Sequence, residues 1–354
     1  MKRNYPLLSM AILGVVVLTH FACKKTTELT DLSVQPSEKV LEASSNPKSY
    51  LTGNAADVST STTGGTILMG GSTDVDAAML WMLNKSGGGD IVIIRASGAD
   101  GYNDYLFNMA PVNSVETLLI NTRAKANNAD AVQKIRNAEA LFIAGGDQYD
   151  YVNYWKDTGV EDAINYLINT KHVPVGGTSA GCAILGKSYF SAQNGTVYSA
   201  DALANPYNTA VQLGHNDFVN HPYLGNTITD SHYNNPDRRG RHITFMARIM
   251  TDLAATTAKG VGVEEQTAVC IDQNGIAKVF GINKAYFLQN NNLGPETCVS
   301  GSPLTWNRSQ TAVKYYAIQG SSTGAGSFDF TNWTSYSGGT AGFFFVNNGV
   351  LTQN

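Results

Sequence analysis

Charge is scarce in this chain: Asp, Glu, Lys and Arg make up 15% of 354 residues, against roughly 25% in an average soluble domain. Cysteine is scarcer still, with four in all, and that excludes a disulfide-stapled scaffold. Glycine (35) and proline (10) are near ordinary usage, which excludes collagen-like and low-complexity architectures. Basic residues are not in excess. Twenty-four Lys and Arg stand against 28 Asp and Glu, a net charge of −4, which is the wrong sign for a nucleic-acid partner. The apolar run Ala11 to Leu18 is too short for a permanent membrane span, and no internal repeat is visible. What the chain does have is 43% hydrophobic residues, enough for a real core and incompatible with wholesale disorder. Its polarity is carried by Asn, Ser, Thr and Tyr, as in many exported proteins.

The amino terminus agrees with export. Lys2 and Arg3 precede Leu7, Leu8 and the apolar run, and Phe21-Ala22-Cys23 follows. A basic start, a short apolar stretch and a small residue before the cut make residues 1–22 a secretory signal. The Cys after Ala22 resembles a bacterial lipobox, so Cys23 is the expected lipidation site, with a lipid anchor as the chain's only membrane association. The mature protein is then expected as an envelope lipoprotein, in the outer membrane or periplasm. His20 departs from the usual aliphatic residue, which leaves plain secretion as the alternative. Residues 23–63 are Ser/Thr-rich without periodicity and read as a tether, leaving 64–354 as the folded body.

Within that body short apolar runs alternate with helical stretches. Thr66–Met69, Asp90–Ile94, Glu116–Ile120, Ala140–Ile143 and Val173–Val175 read as strands; Val75–Asn84, Ala129–Asn137 and Val160–Asn169 read as helices. That alternation predicts an α/β three-layer sandwich with a mainly parallel sheet. After Gly262 only strands remain, at Thr267–Ile271, Ala277–Phe280, Ala285–Leu288, Ala312–Ile318 and Gly342–Val346, so antiparallel strands are added at the C-terminal side. The Gly70-Gly71-Ser72-Thr73-Asp74 segment matches neither G-x-G-x-x-G nor a P-loop and reads as a tight strand-to-helix turn.

The most informative stretch is Val173 to Leu185, a strand, then Gly177-Thr178-Ser179-Ala180-Gly181, then an apolar helix. A serine at such a junction sits on strained backbone that pushes its hydroxyl out over the carboxyl edge of the sheet. The helix opening at Ala180 aims backbone N–H groups at the same place, as an oxyanion requires. Cys182, one turn into that helix, reads as a small buried residue. Serine needs a base. His215 and His221 lie in a loop without a partner pattern, whereas His232 follows Thr227–Ser231 at a strand end on the same edge as Ser179. The acid candidates, Glu264 and Glu265, come after His232. The order Ser–His–Glu differs from the α/β-hydrolase order, in which the acid precedes the histidine.

Together with Phe142-Ile143-Ala144-Gly145-Gly146-Asp147-Gln148, Asp230-Ser231-His232-Tyr233 and Gly262-Val263-Glu264-Glu265-Gln266-Thr267-Ala268, these motifs resemble peptidase family S51, the cyanophycinases and their secreted relatives, over roughly residues 64–290. The resemblance implies a flavodoxin-like fold related to class I amidotransferases. It also implies a cofactor-free serine exopeptidase acting on aspartyl or β-aspartyl-arginine bonds, with a peptide or polymer of Asp/Arg units as partner. It makes Ser179 the nucleophile, His232 the base and Glu265 the acid, with Glu264 as fallback. Backbone N–H groups of Ala180 and Gly146 become the oxyanion hole, and Gln148, Asp230, Arg238 and Arg241 the substrate contacts. Pro236 stands where the family pattern has a further arginine. Asn235-Pro236-Asp237 reads as the opening of a helix reaching about Asp252, which puts Arg238, Arg239 and Arg241 at its positive end, where they need an anion.

Two other readings are carried: a secreted aspartyl or isoaspartyl dipeptidase on short peptides, and a non-catalytic surface binding lipoprotein. No metal is expected, because His215, His221 and the cysteines lack ligand spacing. Export allows a Cys270–Cys298 disulfide, and a homodimer is compatible with the sequence.

Overall fold

The computed structural model describes residues 45–354; the expected signal peptide, Cys23 and the first part of the tether lie outside them. Six strands build one side of the molecule: β1 (Lys48–Gly53), β2 (Gly65–Met69), β3 (Asp90–Arg95), β4 (Ser114–Leu119), β5 (Ala140–Ile143) and β6 (Pro174–Thr178). Strands β4, β3, β5, β6 and β2 run parallel in that order. Ile91 to Ile94, Leu141 to Ile143 and Ile67 to Met69 are buried without a break, because both faces of a parallel sheet are covered. Alternate residues go to opposite faces. Ile67, Met69, Ile91 and Ile93 pack with Met79, Met82 and Leu83 of the helix Asp76–Lys85. Leu68, Val92 and Ile94 pack with Ile135, Val160 and Ile164 from helices on the other side. These are the three expected layers.

The remaining strands are β7 (Ser188–Phe190), β8 (Leu213–His215), β9 (Thr227–Asp230), β10 (Lys259–Val263), β11 (Thr267–Asp272), β12 (Ile276–Gly281), β13 (Lys284–Asn290), β14 (Val313–Gln319), β15 (Ala325–Asp329), β16 (Tyr336–Ser337), β17 (Thr340–Asn347) and β18 (Val350–Gln353). They do not all extend one sheet. β11, β12, β15 and β16 continue the first sheet beyond β2, while the other eight form a second sheet in the order β18-β17-β14-β13-β10-β9-β7-β8. The helix Arg239–Asp252 packs through Phe245 and Ile249 on Ile228, Leu288 and Phe344 of that second sheet. The chain therefore crosses from the second sheet to the first between β10 and β11, at Glu264-Glu265-Gln266.

Two expectations change. The stretch read as tether to residue 63 carries β1, which pairs antiparallel with β4 and covers that sheet edge; an edge strand with one half-buried face needs little hydrophobicity, so its composition resembles a linker. The helix expected from Asn235 begins only at Arg239. Residues 234–237 are held in a loop instead: Asn235 N–H donates to His232 O, Arg238 N–H to Tyr233 O, and the Asp237 carboxylate accepts the Arg239 N–H. Among the described residues no helix is long and apolar enough to cross a membrane.

Candidate active site

Five strand ends, three from the first sheet and two from the second, converge on one place. In the first sheet Met69 of β2 is in register with Thr178 of β6, and β5 lies on the other side of β6. The segments leaving these strands carry Gly71, Ser179 and Gly146. In the second sheet β9 and β10 run parallel, with Asp230 beside Gly262, and the segments leaving them carry His232 and Glu265.

Ser179 adopts φ 53° and ψ −115° between β6 and the helix Ala180–Ala183. Such backbone costs a non-glycine residue about 1–3 kcal/mol, and the flanking glycines make room for it. A Cβ on Gly177 would stand 2.5 Å from the carbonyl carbon of Gly181, and one on Gly181 would stand 2.2 Å from the carbonyl oxygen of Ile143. The G-x-S-x-G spacing is thus the packing requirement of a sharp elbow against β5. Ala180 heads the helix, where first-turn N–H groups carry the positive dipole end, and Gly146 lines the cleft beside Ser179.

The Ser179 hydroxyl lies 2.8 Å from His232 Nε2, and His232 Nδ1 lies 2.7 Å from Glu265 Oε1. The hydrogen bond from His232, outweighing the effect of burial, holds the Glu265 carboxyl below its ordinary value. An ionised carboxylate only accepts, so Nδ1 carries the proton and Nε2 is left to accept the Ser179 Oγ–H. His232 is held by its own N–H, which donates to Gly70 O at 2.7 Å, and it sits at φ 48°. Glu265 is held by its N–H on Asn234 Oδ1 at 3.0 Å and by Asn283 Nδ2 on its carbonyl at 2.8 Å. Glu264 faces elsewhere and accepts the Lys284 N–H at 2.8 Å.

A cleft of about 310 Å³ opens over this line of groups, bounded by Gly146, Gln148, Ser179, Phe190, His232 and Arg238 among others. The Gln148 carboxamide is anchored by donating to Phe190 O at 2.9 Å. Asp230 and Arg241, both expected as substrate contacts, are committed to each other. Arg241 Nε and Nη2 reach Asp230 Oδ2 and Oδ1 at 2.9 and 2.5 Å, with both residues 2% exposed. Burial by itself would raise the Asp230 carboxyl, but the Arg241 charge and hydrogen bonds bring it below the ordinary carboxylate range. The guanidinium fork that could have gripped a substrate carboxylate is therefore already filled. Arg238 differs: Nη1 donates to Ser231 O at 3.2 Å, while Nε is buried without a partner.

Other polar residues fall outside the site. His215 bonds Ser188, and buried His221 bonds Thr66, its imidazole pushed down to about 4 by burial. Cys182, Cys270 and Cys298 are all free thiols, so the disulfide that export allowed is not formed; Cys270 and Cys298 sit in different core clusters. Among the described residues no group of three or more His, Cys, Asp or Glu is placed to hold a metal ion.

Two contributions escape the sequence. A Cβ on Gly71 would stand 2.4 Å from His232 Nε2, and one on Gly70 would stand 1.9 Å from Glu264 O. The pair read as a simple turn is the space into which the imidazole and the acid's loop fit. His242, buried in the helix Arg239–Asp252, lies 3.2 Å from Tyr233 Oη and 3.1 Å from Ile228 O, behind the His232 loop. No spacing marks either role; each depends on which segment is packed opposite.

A family model described as peptidase family S51 matches residues 67–279. The chain is 26% identical over 181 residues to a cyanophycinase from Synechococcus elongatus, covering 51% of this chain and 50% of that protein. It is 24% identical over 176 residues to a cyanophycinase from Nostoc sp., covering 50% and 53%. The chain thus spans about half the length of the curated relatives it matches. Among solved structures, a peptidase from an acI-B1 Actinobacterium aligns with a TM-score of 0.47 and 15% identity, over 68% of this chain and 98% of that one.

Proposed function

This chain belongs to peptidase family S51, and from that premise we propose that it is a serine peptidase cleaving the amide bond beside an aspartyl or β-aspartyl residue. The observation that carries the reading is the continuous hydrogen-bonded line from Ser179 through His232 to Glu265, at 2.8 and 2.7 Å, opening on a cleft.

In the first half-reaction Ser179 Oγ attacks the carbonyl carbon and its proton passes to His232 Nε2. The oxyanion is received by the N–H groups of Ala180 and Gly146, and Glu265 balances the imidazolium. Preorganised donors of this kind are worth about 10²–10³ in rate each. His232 then protonates the leaving nitrogen, the C–N bond breaks and an acyl-serine remains. Water repeats the sequence against the acyl-serine, releasing the acid and restoring Ser179.

Arg238 is the cation that takes a substrate carboxylate, and Gln148 lines the same cleft. Asp230 and Arg241 act one step back, fixing the wall that carries Arg238. Similarity to proteins named cyanophycinases supports substrates with Asp/Arg units. A cleft of about 310 Å³ lined by Arg238, whose guanidinium donates to Ser231 O but keeps an unpartnered Nε, favours one acidic residue at a time, in short peptides as readily as in a polymer.

The test is to incubate the purified protein with cyanophycin, β-Asp-Arg, α-aspartyl peptides and peptides without acidic residues, and to identify products by mass spectrometry. Cleavage confined to bonds beside aspartyl residues is expected; indifference to aspartate would contradict it. Residues 1–22 are proposed to export the chain and Cys23 to carry the lipid anchor. A mature N-terminus at acylated Cys23 would support this, and an unprocessed Met1 would contradict it.

A further inference from the structure

Among the described residues, two that line the cleft over Ser179 carry charges engaged in no ion pair, and the charges are opposite: Asp147 and Arg238. They enter from different sheets, Asp147 from the segment after β5 and Arg238 from the segment after β9. Asp147 is exposed and forms the N-cap of the helix Gln148–Trp155. Its Oδ1 accepts the Tyr149 N–H at 2.9 Å, and among the described residues its Oδ2 has no hydrogen-bond partner. An ionised carboxylate has lone pairs left after one such bond. The charge is felt nearby: burial first, and then Asp147, raise the carboxyl of Asp150. Asp147 also follows Gly146, the residue assigned to the oxyanion, so its carboxylate stands close to the bond to be cut.

We propose that Asp147 is a specificity-determining residue that takes the guanidinium of an arginine borne by the aspartyl unit, while Arg238 holds that unit's carboxylate. The inference rests on the peptidase reading and deepens it by naming the group that reads the cationic side chain. A carboxylate and a guanidinium match in a charge-assisted pair, and the planar fork suits this better than the point charge of a lysine. Opposite charges at two sides of one cleft also set direction. A substrate bound the wrong way round would place its carboxylate against Asp147 and its guanidinium against Arg238, two like-charge contacts.

Calorimetric titration tests this on the full chain carrying Ser179→Ala, so that affinity is read apart from turnover. The ligands are β-Asp-Arg, β-Asp-citrulline and β-Asp-Glu; citrulline keeps nearly the shape of arginine without its charge. β-Asp-Arg is expected to bind about tenfold tighter than β-Asp-citrulline, with β-Asp-Glu weakest. Adding Asp147→Asn should bring the first ratio to within about twofold. Asparagine caps a helix as well as aspartate does, so thermal unfolding should be unchanged. Asp147→Glu, which keeps the charge, should retain most of the preference. No binding of β-Asp-Arg, equal affinity for the arginine and citrulline peptides, a ratio untouched by Asp147→Asn, or tightest binding of β-Asp-Glu would overturn the assignment. Failure of the protein with Ser179 intact to cleave any aspartyl peptide would count against the peptidase reading alone, because the affinity comparison does not use turnover.

Discussion

Glu265 Oε1 lies 2.7 Å from His232 Nδ1, while the carboxylate of the adjacent Glu264 is turned to the Lys284 N–H at 2.8 Å. One position along the crossing between β10 and β11 thus separates a group that orients the imidazole from one that fastens a strand. Glu265→Gln should lower kcat by about 10²–10⁴-fold, because an amide in that place no longer fixes the tautomer that leaves Nε2 free. Glu264→Gln should change kcat less than about threefold, since a carboxamide oxygen still accepts the Lys284 N–H. Steady-state kinetics of the two variants side by side would reveal a reversed order, if there is one.

Gly71→Ala is expected to damage catalysis far more than folding. The added methyl would stand 2.4 Å from His232 Nε2, and Gly71 has φ +96°, a conformation that alanine rarely adopts. Displacing the imidazole by the ångström or so needed to clear the methyl should cost ~10²-fold in kcat. Circular dichroism should show an unchanged spectrum; kinetics close to those of the parent protein would contradict this placement of the ring.

The Asp230–Arg241 pair predicts a stability effect with a defined pH dependence. Replacing Asp230 with Asn strands a buried guanidinium and should cost about 3–5 kcal/mol near neutral pH. The folded-state pKa of Asp230 is depressed by Arg241. Its contribution is therefore complete above the ordinary aspartate value and is lost as pH falls through the lower folded value. Denaturant unfolding of both proteins from pH 7 to pH 3 should show the gap between them closing only at the acid end. A gap of constant size would mean that the carboxylate charge is not what holds Arg241.

Arg238→Ala should raise KM for an aspartyl peptide by about 10-fold or more with a smaller change in kcat, as expected when a charge-assisted contact to bound substrate is lost. Arg238 has an unpartnered buried Nε, so its removal should not destabilise the fold as loss of Arg241 would. A pure kcat effect in the kinetics would instead move Arg238 from binding to chemistry.

Much of this site can be read along the chain because its parts are local. The elbow at 177–181 carries its own steric logic, and the place of His232 follows from the direction of the strand before it. The place of the glutamates at the end of β10 does not, because Lys259–Val263 shows no strand pattern and Glu265 is marked only by the family motif. Pairings across space cannot be read that way. Arg241 is spaced like a substrate ligand, yet Asp230, eleven residues earlier, fills its fork. Gly70 and Gly71 resemble any tight turn until His232 is packed against them. In β1, four of six residues are Lys, Ser, Thr and Gly, and only the uncovered edge of β4 gives such a segment a reason to be a strand. The start of the helix at Arg239 is displaced for the same kind of reason, since residues 234 and 235 are drawn toward Glu265.

The central claim is that Ser179 is a nucleophile activated by His232, and a fluorophosphonate probe tests it most directly. Intact-mass and peptide mass spectrometry should find one phosphonyl adduct, on Ser179, and the same treatment should abolish cleavage of an aspartyl peptide. Ser179→Ala protein should take up no label, keep its fold and lose turnover. Well-folded parent protein that resists the probe, or a Ser179→Ala variant that still hydrolyses the peptide, would contradict the account and favour a binding protein built on a peptidase fold.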